Sequence, residues 1–341
     1  MKNIQEESRV NIDDLTCLVD LHLHLDGSLS LNSVKQLAKL QNISIPDNDE
    51  ELISMLSVQP DCRDLNEYLE KFDFPCSLLQ TKEAISMAVY NLICELKEQG
   101  LMCAEIRFAP QKHTDKGLTQ EEVVEAAVGG LMKAPMDCKL ILCCMRDTNN
   151  VEENSETVRV ASKYIGKGVE AIDLAGAEAL FPTRDFKYIF DLADKLCVPY
   201  TIHAGEADGA SSILSAIGYG TVRLGHGIKS VESDDVLDIV KKSEITLECC
   251  PTSNLNTQVF SDISQYPIPL LLEKGIRVTI NTDNMTVSNT TLKNEWKILD
   301  NQFHFSNDQI KQILYNSVDA LFASPEKKEE LKEKIDSNFE K

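Results

Sequence analysis

Positive charge is scarce in this 341-residue chain: 34 Lys and Arg stand against 55 Asp and Glu, a net charge of −21. A nucleic-acid binder needs basic side chains against phosphate, and an anionic membrane surface repels an acidic protein. Neither partner is expected. Long apolar runs are also missing. The longest, such as Leu140–Met145, is the size of a strand, far below the roughly 20 residues that span a bilayer. The N-terminal stretch MKNIQEESRVNIDDL is polar and acidic and has no signal-peptide core, so a cytoplasmic protein is expected. Eleven cysteines contain no CxxC pair, and four of them form the doublets Cys143–Cys144 and Cys249–Cys250 inside apolar runs. Buried free thiols in a reducing compartment account for them better than disulfides. No glycine-rich phosphate loop, GxGxxG or GxxxxGK[ST], follows the first strand.

What is present is an alternation of strands and helices. With 43% hydrophobic and 26% charged residues, the composition is that of a globular protein. Eight short apolar runs read as strands: Cys17–Leu25, Met102–Ala109, Lys139–Met145, Glu170–Ala175, Tyr200–Ala204, Val222–Gly225, Ile245–Cys250 and Arg277–Thr282. Helical periodicity fills Leu31–Leu40, Thr81–Gln99, Gln120–Lys133, Glu152–Ile165, Asp185–Leu196, Gly209–Ile217, Ser233–Lys241 and Gln309–Phe322. Alternating strands and helices predict a parallel sheet, and eight repeats predict closure into a single-domain (β/α)8 TIM barrel over residues 1–341. An open doubly wound sheet is the alternative, disfavoured by the missing phosphate loop. Residues 43–80 exceed the repeat and predict a helical insertion after the first strand, with Leu65, Tyr68, Leu69 and Phe72 at helical spacing. That stripe fits either core or a lid over a pocket, since this loop opens on the face where barrel active sites lie. Residues 325–341 predict a charged, solvated C-terminal helix.

The polar residues fall at the downstream ends of the strands. In Asp20-Leu21-His22-Leu23-His24-Leu25-Asp26 the histidines and aspartates share one face and the leucines the other. A lone buried histidine is usually a hydrogen-bonded core residue. Two in register between two aspartates favour a metal ion. The fifth strand ends His203-Ala204-Gly205-Glu206, the sixth Gly225-His226-Gly227 and the eighth Asn281-Thr282-Asp283-Asn284. Four of the six histidines thus meet carboxylates on one rim, a donor set that suits zinc. His113 and His304 fall in predicted loops and take no role. The fourth strand offers no lysine to bridge two metals, so one metal per chain is expected. The zinc signature HxE…PCxxC is absent.

These blocks match a known family. HLHLDGS (22–28), EIRFAP (105–110), DLAGAE (173–178), HAGE (203–206), GHG (225–227), CPTSN (250–254) and NTD (281–283) resemble, in order, the adenosine deaminases of the amidohydrolase superfamily. The resemblance implies zinc held by His22, His24, His203 and Asp283. It implies His226 as the residue that orients and deprotonates a water, and Glu206 as the acid that protonates purine N1. Gly176 resembles the backbone donor to N3 and Asp26 the acceptor of a ribose hydroxyl, while Leu65, Tyr68, Leu69 and Phe72 resemble the apolar lid over the ribose. Many members carry a second aspartate against purine N7 where this chain has Asn284. An asparagine amide always has donors, so Asn284 can fill the role without a bound proton. The expected activity is hydrolytic deamination of adenosine and 2′-deoxyadenosine. Deamination of methylthioadenosine or adenine, and metal-bound but inactive purine binding, stay open. The expected partner is a small neutral nucleoside, and the oligomeric state is not read from these residues.

Overall fold

The computed structural model describes residues 9–59 and 61–340. The first eight residues of the polar N-terminal stretch lie outside them. Eight strands follow the chain in order: β1 (Leu18–His24), β2 (Leu101–Phe108), β3 (Cys138–Met145), β4 (Val169–Ala175), β5 (Ile202–Ala204), β6 (Arg223–His226), β7 (Thr246–Cys249) and β8 (Arg277–Ile280). All neighbouring strands pair in parallel, as one sheet of β1 to β4 and another of β5 to β8. Single bridges join the two sheets. Ile172 pairs with Tyr200 between β4 and β5, and Leu23 pairs with Asp283 between β1 and the end of β8. The result is a closed barrel, as eight βα repeats require.

Among the described residues fifteen α-helices surround it. The first five are α1 (Leu31–Gln41), α2 (Asp49–Leu56), α3 (Leu65–Leu69), α4 (Asp73–Leu78) and α5 (Lys82–Glu98). Then come α6 (Gln120–Leu131), α7 (Val151–Tyr164), α8 (Lys187–Leu196), α9 (Ala210–Gly218) and α10 (Asp234–Lys242). The last five are α11 (Pro251–Asn256), α12 (Ile268–Glu273), α13 (Leu292–Phe303), α14 (Asn307–Ala320) and α15 (Pro325–Phe339). Leu21, Leu23 and Leu25 are fully buried between strands and helices. Between β1 and β2 the extra residues form α2, α3 and α4.

Three helices were not expected. α11 and α12 have six residues each and begin at or beside a proline, too short for periodicity to show. α13 buries Leu292, Trp296 and Leu299 at i, i+4 and i+7 behind a Thr291 cap, a signal the sequence does carry. The C-terminal helix α15 is not solvated all round: Leu331 and Ile335, one turn apart, are buried. Eight cysteines are buried and none is paired, but Cys197 is exposed in a left-handed cap after α8. Among the described residues no helix is long and apolar enough to cross a membrane.

Charged groups close the barrel's lower end. Arg223 of β6 reaches Glu105 of β2 at 2.6 Å and donates to the Ala320 carbonyl at 2.7 Å, while Glu105 accepts the Phe322 N–H at 2.7 Å. The guanidinium also stacks on the Phe322 ring, 4.2 Å from its centroid. This ties the α14–α15 connection to the barrel floor. Glu105→Ala removes a carboxylate from a buried guanidinium, a change that costs about 3–5 kcal/mol when a pair is broken from one side. Its urea midpoint is expected to fall accordingly, and a midpoint equal to the parent's would contradict the role of this contact.

Candidate active site

The rim of the barrel gathers side chains from β1, β5, β6 and β8. The backbone sets the spacing. Asp283, with a left-handed φ of 62°, donates its N–H to the His22 carbonyl and accepts the His24 N–H, both at 2.7 Å. The bridge that closes β8 onto β1 therefore lies between the two histidines of β1. His203 at the centre of β5 faces them, with its ring centroid 4.4 Å from that of His22 and 5.3 Å from that of His24.

Four donor atoms converge. His22 Nε2 and His24 Nε2 each lie 3.4 Å from Asp283 Oδ1, and His24 Nε2 lies 3.3 Å from His203 Nε2. Metal bonds of about 2.0–2.1 Å at tetrahedral angles place donors about 3.3 Å apart. His22, His24, His203 and Asp283 form a buried group able to hold one metal ion. His22 Nε2 has no hydrogen-bond partner although buried. Burial, helped by Arg107 and His203, lowers the His22 pKa to about 4, and burial also holds His24 well below its usual value. Both imidazoles are therefore neutral, as a ligand must be. Burial works against the ionised form of Asp283, but the neighbouring imidazoles outweigh it and hold the carboxyl below the usual range. The residues present fit a divalent cation.

Beneath the donors lies a charged layer that the sequence reading did not assign. His22 Nδ1 is 2.8 Å from Glu248 Oε2, and His203 Nδ1 is 2.8 Å from Asp173 Oδ2. Arg107 joins the two carboxylates, reaching Asp173 at 2.8 Å and Glu248 at 2.9 Å. Arg223 continues the chain to Glu248 at 2.7 Å. Burial opposes ionisation of both carboxyls. The charge on His203 and Arg107 prevails at Asp173, and that on Arg107 and Arg223 at Glu248, so both stay well below the usual range. Carboxylates behind imidazoles fix the ring orientation and raise the basicity of the nitrogen facing the metal.

Glu206 and His226 stand beside the donors, with His226 Nε2 3.6 Å from Glu206 Oε2 and 4.0 Å from Asp283 Oδ2. Burial raises the Glu206 pKa; the neighbouring His226 opposes that and Asp283 adds to it. The Asn254 carboxamide contacts His226 Nδ1 at 3.0 Å and the Tyr266 hydroxyl at 2.9 Å, which fixes the imidazole with Nε2 toward the carboxylates. Either end of the carboxamide satisfies both neighbours, because a hydroxyl donates or accepts.

These groups open into a cavity of about 430 Å³, the size of a small-molecule site. Leu65, Tyr68, Leu69 and Phe72 of the insertion line it, with Asp26, Gly176 and Asn284 on other walls. Tyr68 is less free than an apolar stripe suggests: its hydroxyl bonds Ser288 at 2.7 Å, and its ring packs on Val287 and Cys62. Burial pushes the Asp26 pKa up to about 6. One of its oxygens accepts from the Cys76 thiol at 3.6 Å and the other has no partner. Gly176 has φ +110°, a conformation that strains any residue with a Cβ. Asn284 lies across Gly27, where a Cβ would fall 1.9 Å from its Oδ1.

Arg107, Asp173, Arg223 and Glu248 were missed as functional residues. For three of them the signal was there: Arg107, Asp173 and Glu248 are charges within apolar strands, whereas Arg223 opens β6 and carries no such mark.

Such a barrel, with a buried group able to hold a metal ion on its C-terminal rim, has the fold of amidohydrolases of known structure. An amidohydrolase from Burkholderia ambifaria, solved with bound Zn, superposes with a TM-score of 0.85 at 18% identity over 96% of this chain and 92% of that one. An adenine deaminase from Arthrobacter aurescens gives 0.86 at 24% identity over 95% and 99%. The chain belongs to the adenosine deaminase family, whose model, described as Adenosine deaminase, matches residues 17–338. It is 46% identical to the adenosine deaminase of Haemophilus ducreyi over 94% of this chain and 96% of that protein. With that of Enterococcus faecalis the identity is 38%, over 98% and 99%.

Outer partners of metal-ligating histidines typically govern about 10–100-fold in metal affinity. Glu248→Gln is expected to weaken the metal by that order, read by competition with a chromogenic chelator. Affinity within about twofold of the parent would rule out the support role.

Proposed function

We propose that this chain hydrolyses the 6-amino group of adenosine and 2′-deoxyadenosine to the 6-oxo nucleoside and ammonia, at one zinc ion held by His22, His24, His203 and Asp283. The observation that carries the reading is the pairing of the Glu206 carboxyl with His226 Nε2 beside those four donors, in a cavity roofed by apolar side chains. Three imidazoles and a carboxylate are a donor set suited to zinc. When bound, the zinc supplies the acidity that makes a water nucleophilic near neutral pH.

The chain's own groups supply the rest. Burial keeps a proton on Glu206 to a higher pH than an exposed glutamate holds it, and that proton goes to purine N1. Protonation there draws electrons from C6, where the water oxygen attacks. His226 Nε2 takes the water's proton, which requires the Asn254 carboxamide oxygen to accept Nδ1–H. His226 returns that proton to the amino group, the C6–N bond breaks and ammonia leaves, and the Glu206 carboxylate takes the remaining hydroxyl proton as the 6-oxo group forms. Among the described residues no acceptor takes the Gly176 N–H, which leaves it for N3. The unpartnered oxygen of Asp26 accepts a ribose hydroxyl, and Leu65, Leu69, Phe72 and the Tyr68 ring cover the sugar. The Asn284 amide donates to N7. A ribose acceptor would be idle with a free base, so nucleosides are preferred over adenine. The eleven unpaired cysteines support a reducing, cytoplasmic setting.

A panel of adenosine, adenine and methylthioadenosine, followed by ammonia release, tests the reading. Glu206→Gln is expected to keep the metal and the fold but to lose about 10²–10⁴ in kcat, the contribution of a positioned acid. Full activity in that variant sinks the assignment. A second measurement addresses Asn284. Replacing N7 by carbon in the ligand should weaken binding to the parent by about tenfold, the scale of one hydrogen bond, and should cost Asn284→Ala almost nothing. Equal losses in the two proteins would exclude the contact.

A further inference from the structure

Glu178 lies two residues beyond Gly176, on the loop that follows β4, and is 1% exposed. It touches neither the donors nor the cavity. Its carboxylate is nevertheless saturated with hydrogen bonds from the loop after β5. Oε1 accepts the Gly205 N–H at 2.7 Å, and Oε2 accepts the N–H groups of Glu206, Ala207 and Asp208 at 3.0, 2.8 and 3.0 Å. The Ser212 hydroxyl donates to Oε1 as well. Successive amides converging in this way form an anion-binding concavity, here filled by a side chain of the protein itself. Ser212 lies 2.6 Å from the Thr183 hydroxyl, which accepts from Arg146 at 2.9 Å, and the same Arg146 nitrogen donates to the His203 carbonyl.

One buried carboxylate thus clamps the turn bearing Glu206 to the loop bearing Gly176. In the reading proposed above, on which this inference rests, these loops serve N1 and N3 of one six-membered ring. The two nitrogens flank a single carbon, so the acid and the N–H must arrive in register.

We propose that Glu178 is a positioning residue that sets this register, holding the Glu206 carboxyl at N1 while Gly176 holds N3. A glutamine satisfies these donors in neither orientation: its nitrogen meets three amide N–H groups at the Oε2 position or the Gly205 N–H at the Oε1 position. A displacement of about 1 Å at a reacting group costs on the order of 10²-fold.

The test compares the parent with Glu178→Gln and Ser212→Ala. It measures kcat on adenosine, metal content, and the inhibition constant of 1-deazaadenosine, which keeps N3 but has no N1 to be brought into register. Glu178→Gln is expected to lose about 10–100-fold in kcat with full metal, and to bind 1-deazaadenosine within about twofold of the parent. Ser212→Ala should show the same pattern at several-fold, and it decides the matter if Glu178→Gln does not fold. In a Glu206→Gln background the Glu178 substitution should add little further loss. Parental kcat in Glu178→Gln overturns the proposal, as does an equal loss in turnover and in 1-deazaadenosine binding, which marks general loosening. If Glu206→Gln is inactive while Glu178→Gln is fully active, only the register falls. If Glu206→Gln itself is fully active, the reading beneath it falls.

Discussion

The buried guanidinium of Arg107 is the constraint on which the site depends. Imidazoles that are to face a cation need fixed acceptors behind them, and Glu248 and Asp173 provide these at 2.8 Å. Two carboxylates in a dry barrel would repel each other and take up protons. Arg107, within 2.9 Å of both, keeps them ionised and apart. Arg223 shares the work at Glu248 and passes it down to Glu105. The two guanidinium groups thus engage Asp173, Glu248 and Glu105 below the donors, which leaves the Asp283 carboxylate above them free to face a cation.

The barrel and the convergence of the donors were legible because both follow from local rules. Strand alternation turns His22 and His24 the same way, and strand order brings β1, β5 and β8 to one rim. The six-residue helices α11 and α12 were not legible, because a segment of that length has no period. The charged layer was half legible. Charges inside apolar strands mark Arg107, Asp173 and Glu248, but no rule within one strand says which charge meets which across the barrel. Those pairings depend on register between strands, with partners 25 to 141 residues apart along the chain. Glu178 stands in the DLAGAE block without a readable role for another reason: its partners are mostly backbone amides, and any sequence supplies those.

The apolar insertion shows how a correct pattern can understate a contact. Leu65, Tyr68, Leu69 and Phe72 have the spacing of a roof. Tyr68 adds a hydroxyl anchored on Ser288, and the Ser57 hydroxyl and Val58 N–H bond the Thr286 and Val287 carbonyls. The roof is thus docked on the loop that carries Asn284, and a shift of either moves the other against the ligand.

The barrel is two half-shells, β1 to β4 and β5 to β8, each knitted by continuous ladders but joined by isolated bridges. His22 and His24 belong to one half, His203 and Asp283 to the other. A cation held by these four donors would span the seams as Arg107 with Glu248 spans them below, so the side chains that ready the site for chemistry would also brace the shell.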